Sequence, residues 1–139
     1  MSNLVITDGD SLIFETQFGI NTVTPTEPCL IRGTGEASIL NNKICILGDE
    51  KNVSISAEYT KPNYLVKGTG TITITQLAAD QQAEFVTTTT PVIVAGSQFT
   101  ALFTPGAPAS DPQLGPDSSP VPTPGTGKLI NSQSFVTAG

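Results

Sequence analysis

The 139-residue chain contains no histidine and no tryptophan, and only 13% of its residues are charged. Histidine is the usual general base near neutral pH and a common metal ligand. Its absence removes Ser-His-Asp and Cys-His catalysis, His-rich zinc sites and haem held by histidine. Cations are scarce too: 6 Lys and Arg stand against 12 Asp and Glu, a net charge of -6. A nucleic-acid partner is excluded on that ground, because phosphate binding needs clustered basic residues, and only Lys61 and Lys67 approach a pair. No apolar run reaches the ~18 residues of a membrane span, and Met1-Ser2-Asn3 lacks the basic and apolar regions of a signal peptide. The expectation is a chain that is made and assembled in the cytoplasm, with its two cysteines reduced and buried.

What is abundant is β-branched: 20 Thr, 12 Ile and 9 Val make up 41 of the 139 residues. These side chains favour strands, and the length suits one modest core. The expected fold class is all-β, mainly β with one short helix, as a small cone-like arrangement of short strands and hairpins with pseudo-repeats. Seven of the 11 prolines fall between Pro105 and Pro124. Residues 104–125 therefore read as a Pro/Gly-rich extended loop or linker, after a folded domain of residues 1–103 and before a C-terminal segment, 126–139, that could return as a strand.

Several short runs carry the strand period. In Val53-Ser-Ile-Ser56 and Thr71-Ile-Thr-Ile-Thr75, apolar and hydroxyl side chains alternate one by one, so one face is buried and the other wet. Asn41-Asn42 predicts a two-residue turn in a hairpin from Ala37 to Leu47, since Asn tolerates positive φ. The helix formers of residues 76–86, with Thr75 as N-cap, predict two to three helical turns. The threonines that follow predict a strand through Val94, ended by Gly96. Phe14, Phe18, Phe85, Phe99 and Phe103 are the expected core aromatics.

Gly-Thr-Gly occurs three times, at Gly33-Thr34-Gly35, Gly68-Thr69-Gly70 and Gly125-Thr126-Gly127, each time before a strand-like run. That echo suggests a turn-plus-strand unit repeated around a pseudo-symmetric axis. The stretch from Gly33 to Asp49, with Asn41, Asn42, Lys43 and Gly48, resembles the repeat unit of PAAR proteins, the spike-tip proteins of bacterial contractile injection systems. Gly68 and Gly70 resemble a later unit, and Val5-Ile-Thr-Asp-Gly-Asp10 an opening strand and turn. The Pro-Ala-Ala-Arg signature is missing. So are the three histidines that, with a cysteine, often hold zinc at the family's point, which makes the resemblance one to diverged, metal-free members.

The resemblance implies a cone-shaped β protein on the blunt end of a trimeric, VgrG-like spike. It implies one copy per particle, transient contact with a target membrane, and a mechanical role without cofactor. Within that reading, Phe18 and Ile20, beside Gly19 in a turn-rich region, are the expected spike contacts. Gly33, Gly35, Asn41, Asn42, Gly48, Asp49, Gly68 and Gly70 are structural turn residues. Cys29 and Cys45 fit buried apolar positions, a cross-strand disulfide, or two ligands of an incomplete metal site. Asp8, Asp10, Asp49 and Glu50 fit turn capping, Ca²⁺ binding or a glycosidase pair. A second class remains open, a carbohydrate-binding or adhesive β module, whose sugar platform would have to use Tyr59 or Tyr64.

Overall fold

A computed structural model describes residues 4–62, 64–83, 90–116 and 121–131. Among these, the strands in chain order are β1 (Ser11–Phe14), β2 (Gln17–Phe18), β3 (Asn21–Pro25), β4 (Ser38–Ile39), β5 (Asn42–Lys43), β6 (Ser54–Thr60), β7 (Gly68–Gln76), β8 (Gln82–Ala83), β9 (Val92–Ile93), β10 (Phe99–Pro105), β11 (Ser110–Asp111), β12 (Gly115–Pro116) and β13 (Thr123–Ile130). The protein is mostly β, as its β-branched composition requires.

Seven strands form one antiparallel sheet in the order β1-β13-β10-β7-β6-β3-β2. Its two edges, β1 and β2, are consecutive in the chain. Glu15 N donates to Thr126 O at 2.9 Å, extending the β1–β13 ladder, and Val23 N donates to Thr16 O at 2.8 Å, opening the β2–β3 ladder. One bent strand thus pairs with β13 in its first half and with β3 in its second, and the sheet curls until its edges meet. The result is three successive hairpins, β1/β2–β3, β6–β7 and β10–β13, arranged as staves around a common core.

The alternation read from the sequence is the alternation observed: Val53, Ile55, Ile72 and Ile74 are buried, while Ser54 and Ser56 are exposed. Phe18, Phe99, Phe103 and Tyr59 fill the interior. Phe14 meets Phe99 edge-on at 5.5 Å between centroids, and Tyr59 meets Phe103 at 5.2 Å. A curl this tight leaves no room for a full side chain beneath every ring. A Cβ on Gly125 would stand 2.6 Å from the Phe18 ring, and one on Gly127 2.6 Å from that of Phe99, so glycine lets each aromatic lie against the facing strand. Between β7 and β10 the register shifts at Thr100/Ala101, and the Thr75 hydroxyl donates to Thr100 O at 3.0 Å. Such a bulge adds local twist to a curling sheet.

Three expectations are corrected here. Residues 76–83, the described part of the stretch expected to be helical, do not form a helix of two to three turns: β7 runs through Gln76, a single 3₁₀ turn spans Ala79–Gln81, and Gln82–Ala83 pairs with β9. Tertiary anchoring outweighs helix propensity. The fully buried Gln81 amide accepts from Ala78 N at 2.9 Å and donates to Ala95 O at 3.2 Å. The β4–β5 turn is Leu40-Asn41, with φ of 52° and 69°, one residue earlier than Asn41-Asn42. Ile39 and Ile44 are thereby both buried, while Leu40 is left exposed at the turn. Finally, Thr104–Pro105 close β10, residues 110–116 hold the β11–β12 hairpin, and Thr123–Gly125 open β13, in the segment expected to be an extended loop. Backbone pairing on both sides of Pro124 carries the ladder past its missing N–H. Phe85, Glu84–Val86 of the expected helix, Thr87–Thr89 and residues 132–139 lie outside the described residues.

Candidate functional site

Because consecutive staves run antiparallel, the connections divide between two ends of the barrel. At one end lie the entry segment before β1, the connection from β3 to β6 and the connection from β7 to β10. Each contributes a short extended run: residues 4–8, 43–47 and 91–95. These converge on one axis. Ile6 N donates to Ile93 O at 2.9 Å, Ile93 N to Cys45 O at 2.9 Å, and Cys45 N to Ile6 O at 2.8 Å, a closed ring of three hydrogen bonds.

A second ring surrounds the first. Asp8 N donates to Lys43 O at 2.7 Å, Leu47 N to Pro91 O at 2.8 Å and Ala95 N to Leu4 O at 2.9 Å. The flanking bridges follow the same cyclic order, Thr7 with Ile44, Ile46 with Val92 and Val94 with Val5. Each run therefore bonds to the other two in the same register, which is pseudo-three-fold symmetry of the backbone.

The side chains obey it as well. Ile6, Cys45 and Ile93, the ring residues, are completely buried and join the barrel core. The residue before each of them, Val5, Ile44 and Val92, joins a second, smaller core on the other side of the layer. The three runs thus form a plate that plugs the barrel with one face and supports a cap with the other.

Aligned on this geometry, the sequence shows a repeat that the Gly-Thr-Gly echo missed. Residues 4–10 read Leu-Val-Ile-Thr-Asp-Gly-Asp, 43–49 read Lys-Ile-Cys-Ile-Leu-Gly-Asp, and 91–97 read Pro-Val-Ile-Val-Ala-Gly-Ser. The three glycines share positive φ, 87° at Gly9, 112° at Gly48 and 54° at Gly96, where the chain turns out of the plate. In the first two units the following aspartate folds back identically. Asp10 Oδ2 accepts from Thr7 N at 2.9 Å and Asp10 N donates to Thr7 O at 3.0 Å. Asp49 Oδ2 accepts from Ile46 N at 2.9 Å and Asp49 N donates to Ile46 O at 3.0 Å. In the third unit Ser97 takes that place and its hydroxyl donates to Asp80 Oδ1 at 2.9 Å.

The residues singled out from the sequence fall into distinct places. Gly33 and Gly35 lie against residues 43–44 beside the plate, where Gly33 N donates to Asp8 Oδ1 and Gly35 N to Ile44 O, both at 2.9 Å. Asp49 also binds this loop, accepting from Thr34 N at 3.0 Å and from the Thr34 hydroxyl at 2.6 Å. Asn41 and Asn42 sit on the exposed β4–β5 hairpin. Gly68 and Gly70 belong to β7 in the barrel wall. Phe18 is fully buried in the barrel, whereas Ile20, at the adjacent turn, is 63% exposed. Asp8, Asp10, Asp49 and Glu50 spend their carboxylates on backbone N–H groups, Glu50 on Gly48 N at 2.7 Å.

Cys29 and Cys45 are both free thiols. Burial, reinforced by the carboxylates of Asp49, Asp10 and Asp8, pushes the Cys45 thiol far above its ordinary range, and burial with nearby Glu27 raises Cys29. Among the described residues, no group of three or more Cys, Asp or Glu side chains is arranged to hold a metal ion. Tyr59 is buried and its hydroxyl accepts from Ala109 N at 2.8 Å, while Tyr64 is partly buried against the core.

The plate, and not a pocket, is what organises this chain, and what it can do chemically is to present threefold structure from a single polypeptide. No helix among the described residues is long and apolar enough to cross a membrane. No curated protein matches the chain. The family of contractile injection system spike tip proteins matches over residues 1–139, and the chain belongs to that family.

Proposed function

We propose that this chain is the non-catalytic point of the spike, a monomer that caps and sharpens a trimeric, VgrG-like spike and is driven with it through a target envelope. The observation that carries the proposal is the threefold plate. A single chain seated on the axis of a trimer meets three equivalent surfaces, and it matches them only if its own backbone approximates the same symmetry. Three repeats within one chain meet that requirement with one copy per particle.

The mechanical part of the proposal rests on the closed sheet. Its edge strands are joined through Glu15 and Thr16, so among the described residues the main sheet has no long unpaired edge to peel under load. The point is held without metal, by the two hydrogen-bond rings and the folded-back aspartates. Assembly in the cytoplasm, followed by brief contact with the target membrane when the sheath contracts, completes the scheme.

The test is particle assembly without this chain. Electron microscopy should show spikes that end bluntly, together with a loss of target killing or delivery, both restored by the wild-type chain. Particles with unchanged pointed spikes would sink the proposal.

A further inference from the structure

Each plate run carries one backbone donor that neither hydrogen-bond ring uses. It is the N–H of the fourth residue of the unit: Thr7, Ile46 and Val94. In the first two units the aspartate that closes the unit takes it, Asp10 Oδ2 accepting from Thr7 N and Asp49 Oδ2 from Ile46 N, both at 2.9 Å. The third unit ends in Ser97, whose hydroxyl donates to Asp80. There Val94 N donates to Gln81 O at 3.0 Å. A main-chain carbonyl from another segment fills the place of the missing carboxylate.

The register of the two hairpins that lead into the second and third runs explains the exchange. The β4–β5 ladder pairs Ser38 with Lys43 and reaches Ile44, whose N–H donates to Ala37 O at 3.0 Å, so it stops two residues short of Ile46. The β8–β9 ladder pairs Gln82 with Ile93, which brings Gln81 opposite Val94. The turn that carries Gln81 is locked from within. Gln81 is fully buried; its Oε1 accepts from Ala78 N at 2.9 Å, its own N donates to Ala78 O at 3.0 Å, and its Nε2 donates to Ala95 O at 3.2 Å. A donor on one side and an acceptor on the other fix the orientation of the amide. A Cβ on Gly96 would stand 2.4 Å from Asp80 O, so the turn lies directly on the backbone of the third run.

We infer that Gln81 is the positioning residue of the third plate unit: through its turn it sets the register of residues 94–97, as Asp10 and Asp49 do for their own units, and the threefold match to the spike depends on it. The inference rests on the spike-tip reading and names the residue that completes its symmetry. Being buried, Gln81 acts through residues 94–97 and not by touching a partner. The first two units are closed by side chains three residues along the chain, whereas the third is held by a side chain 14 residues away from Ala95. A fault in the turn therefore displaces one third of the plate and leaves the other two thirds in place. Such a plate no longer offers three equivalent sectors to a trimer.

The experiment uses the full-length chain and the purified trimeric spike of the same particle. Gln81→Met keeps the length of the side chain and removes both of its hydrogen bonds. Amide hydrogen exchange is expected to accelerate roughly tenfold or more at Val94 while Thr7 and Ile46 stay within about twofold of wild type. Binding to the spike, read by titration calorimetry, weakens roughly tenfold as well. Ile72→Ala is the control: it destabilises through a cavity in the barrel wall and, at a temperature where it is folded, binds the spike as wild type does. Equal acceleration at all three amides overturns the inference. So does wild-type spike affinity in a Gln81→Met chain whose Val94 has lost protection, or an Ile72→Ala chain that binds as weakly as Gln81→Met. Where Gln81→Met does not fold, native-state exchange of the wild type decides: the Ala78 and Val94 amides open together, with one free energy and one urea dependence distinct from those of Thr7 and Ile46, and separate opening overturns the inference. If the wild-type chain itself fails to bind the spike, the functional proposal falls, while the exchange measurements still read the role of Gln81 in the plate.

Discussion

At the scale of single residues, Asp49 carries more structure than its place in a turn suggests. It is 3% exposed and accepts from Thr34 N, the Thr34 hydroxyl and Ile46 N. Replacing it removes three part-buried hydrogen bonds, each contributing roughly 0.5–1.5 kcal/mol. Asp49→Ala should therefore lower the unfolding free energy by about 3 kcal/mol in urea titration, and Asp10→Ala, with one such acceptor bond, by about half as much; equal, negligible effects would refute the capping role. Gly125 makes a different demand, for space. Gly125→Ala should cost about 1–3 kcal/mol by overpacking against Phe18, and Phe18→Leu in the same chain should return part of that loss, a coupling readable in a double-mutant cycle. Cys45 gives a pH signature. Its thiol is raised by burial first and by neighbouring carboxylates second, so the unfolded chain ionises at lower pH than the native one. The contribution is fully present below the unfolded value of about 8.5 and is lost as pH rises toward the native value. Above about pH 9, wild-type stability should fall more steeply with pH than that of Cys45→Ala, by up to about 1.4 kcal/mol per unit.

At the scale of elements, the β4–β5 hairpin holds an avoidable strain. Leu40 adopts φ 52° and is 68% exposed, so its side chain gives little in return for the left-handed conformation. Leu40→Asn or Leu40→Gly should stabilise the protein by roughly 1 kcal/mol and raise the melting temperature by a few degrees; a lower melting temperature would contradict this. Strand β13, by contrast, is indispensable, since it pairs with both β1 and β10. A chain ending at Val121 should show no cooperative unfolding transition. The elements also show what sequence reading can reach. Ile72 and Ile74 reveal their strand because one face of β7 is dry and the period is local. The Ala- and Gln-rich stretch after Thr75 misleads because its conformation is imposed by the Gln81 side chain reaching Ala95, a contact between residues distant in the chain. The Gly-Thr-Gly echo catches two barrel strands and one loop beside the plate, positions with unlike roles. The repeat that matters, at residues 4–10, 43–49 and 91–97, is seven residues long and tolerates Cys for Ile and Ser for Asp, so it emerges only when the backbone rings align it.

At the scale of the whole molecule, one chain of three hairpin units closes on itself and gathers three short runs into a plate with threefold backbone symmetry. The plate fixes the axis, and the curled sheet encloses the main core beside it. This arrangement matches a family whose members stand at the tip of an injection spike. The measurement that tests it most directly is a cryo-electron microscopy reconstruction of the purified spike with this chain bound, refined without imposed symmetry. The account predicts a single copy whose plate axis coincides with the spike's threefold axis. Three copies arranged around the axis, or one copy seated away from it, would contradict the central claim.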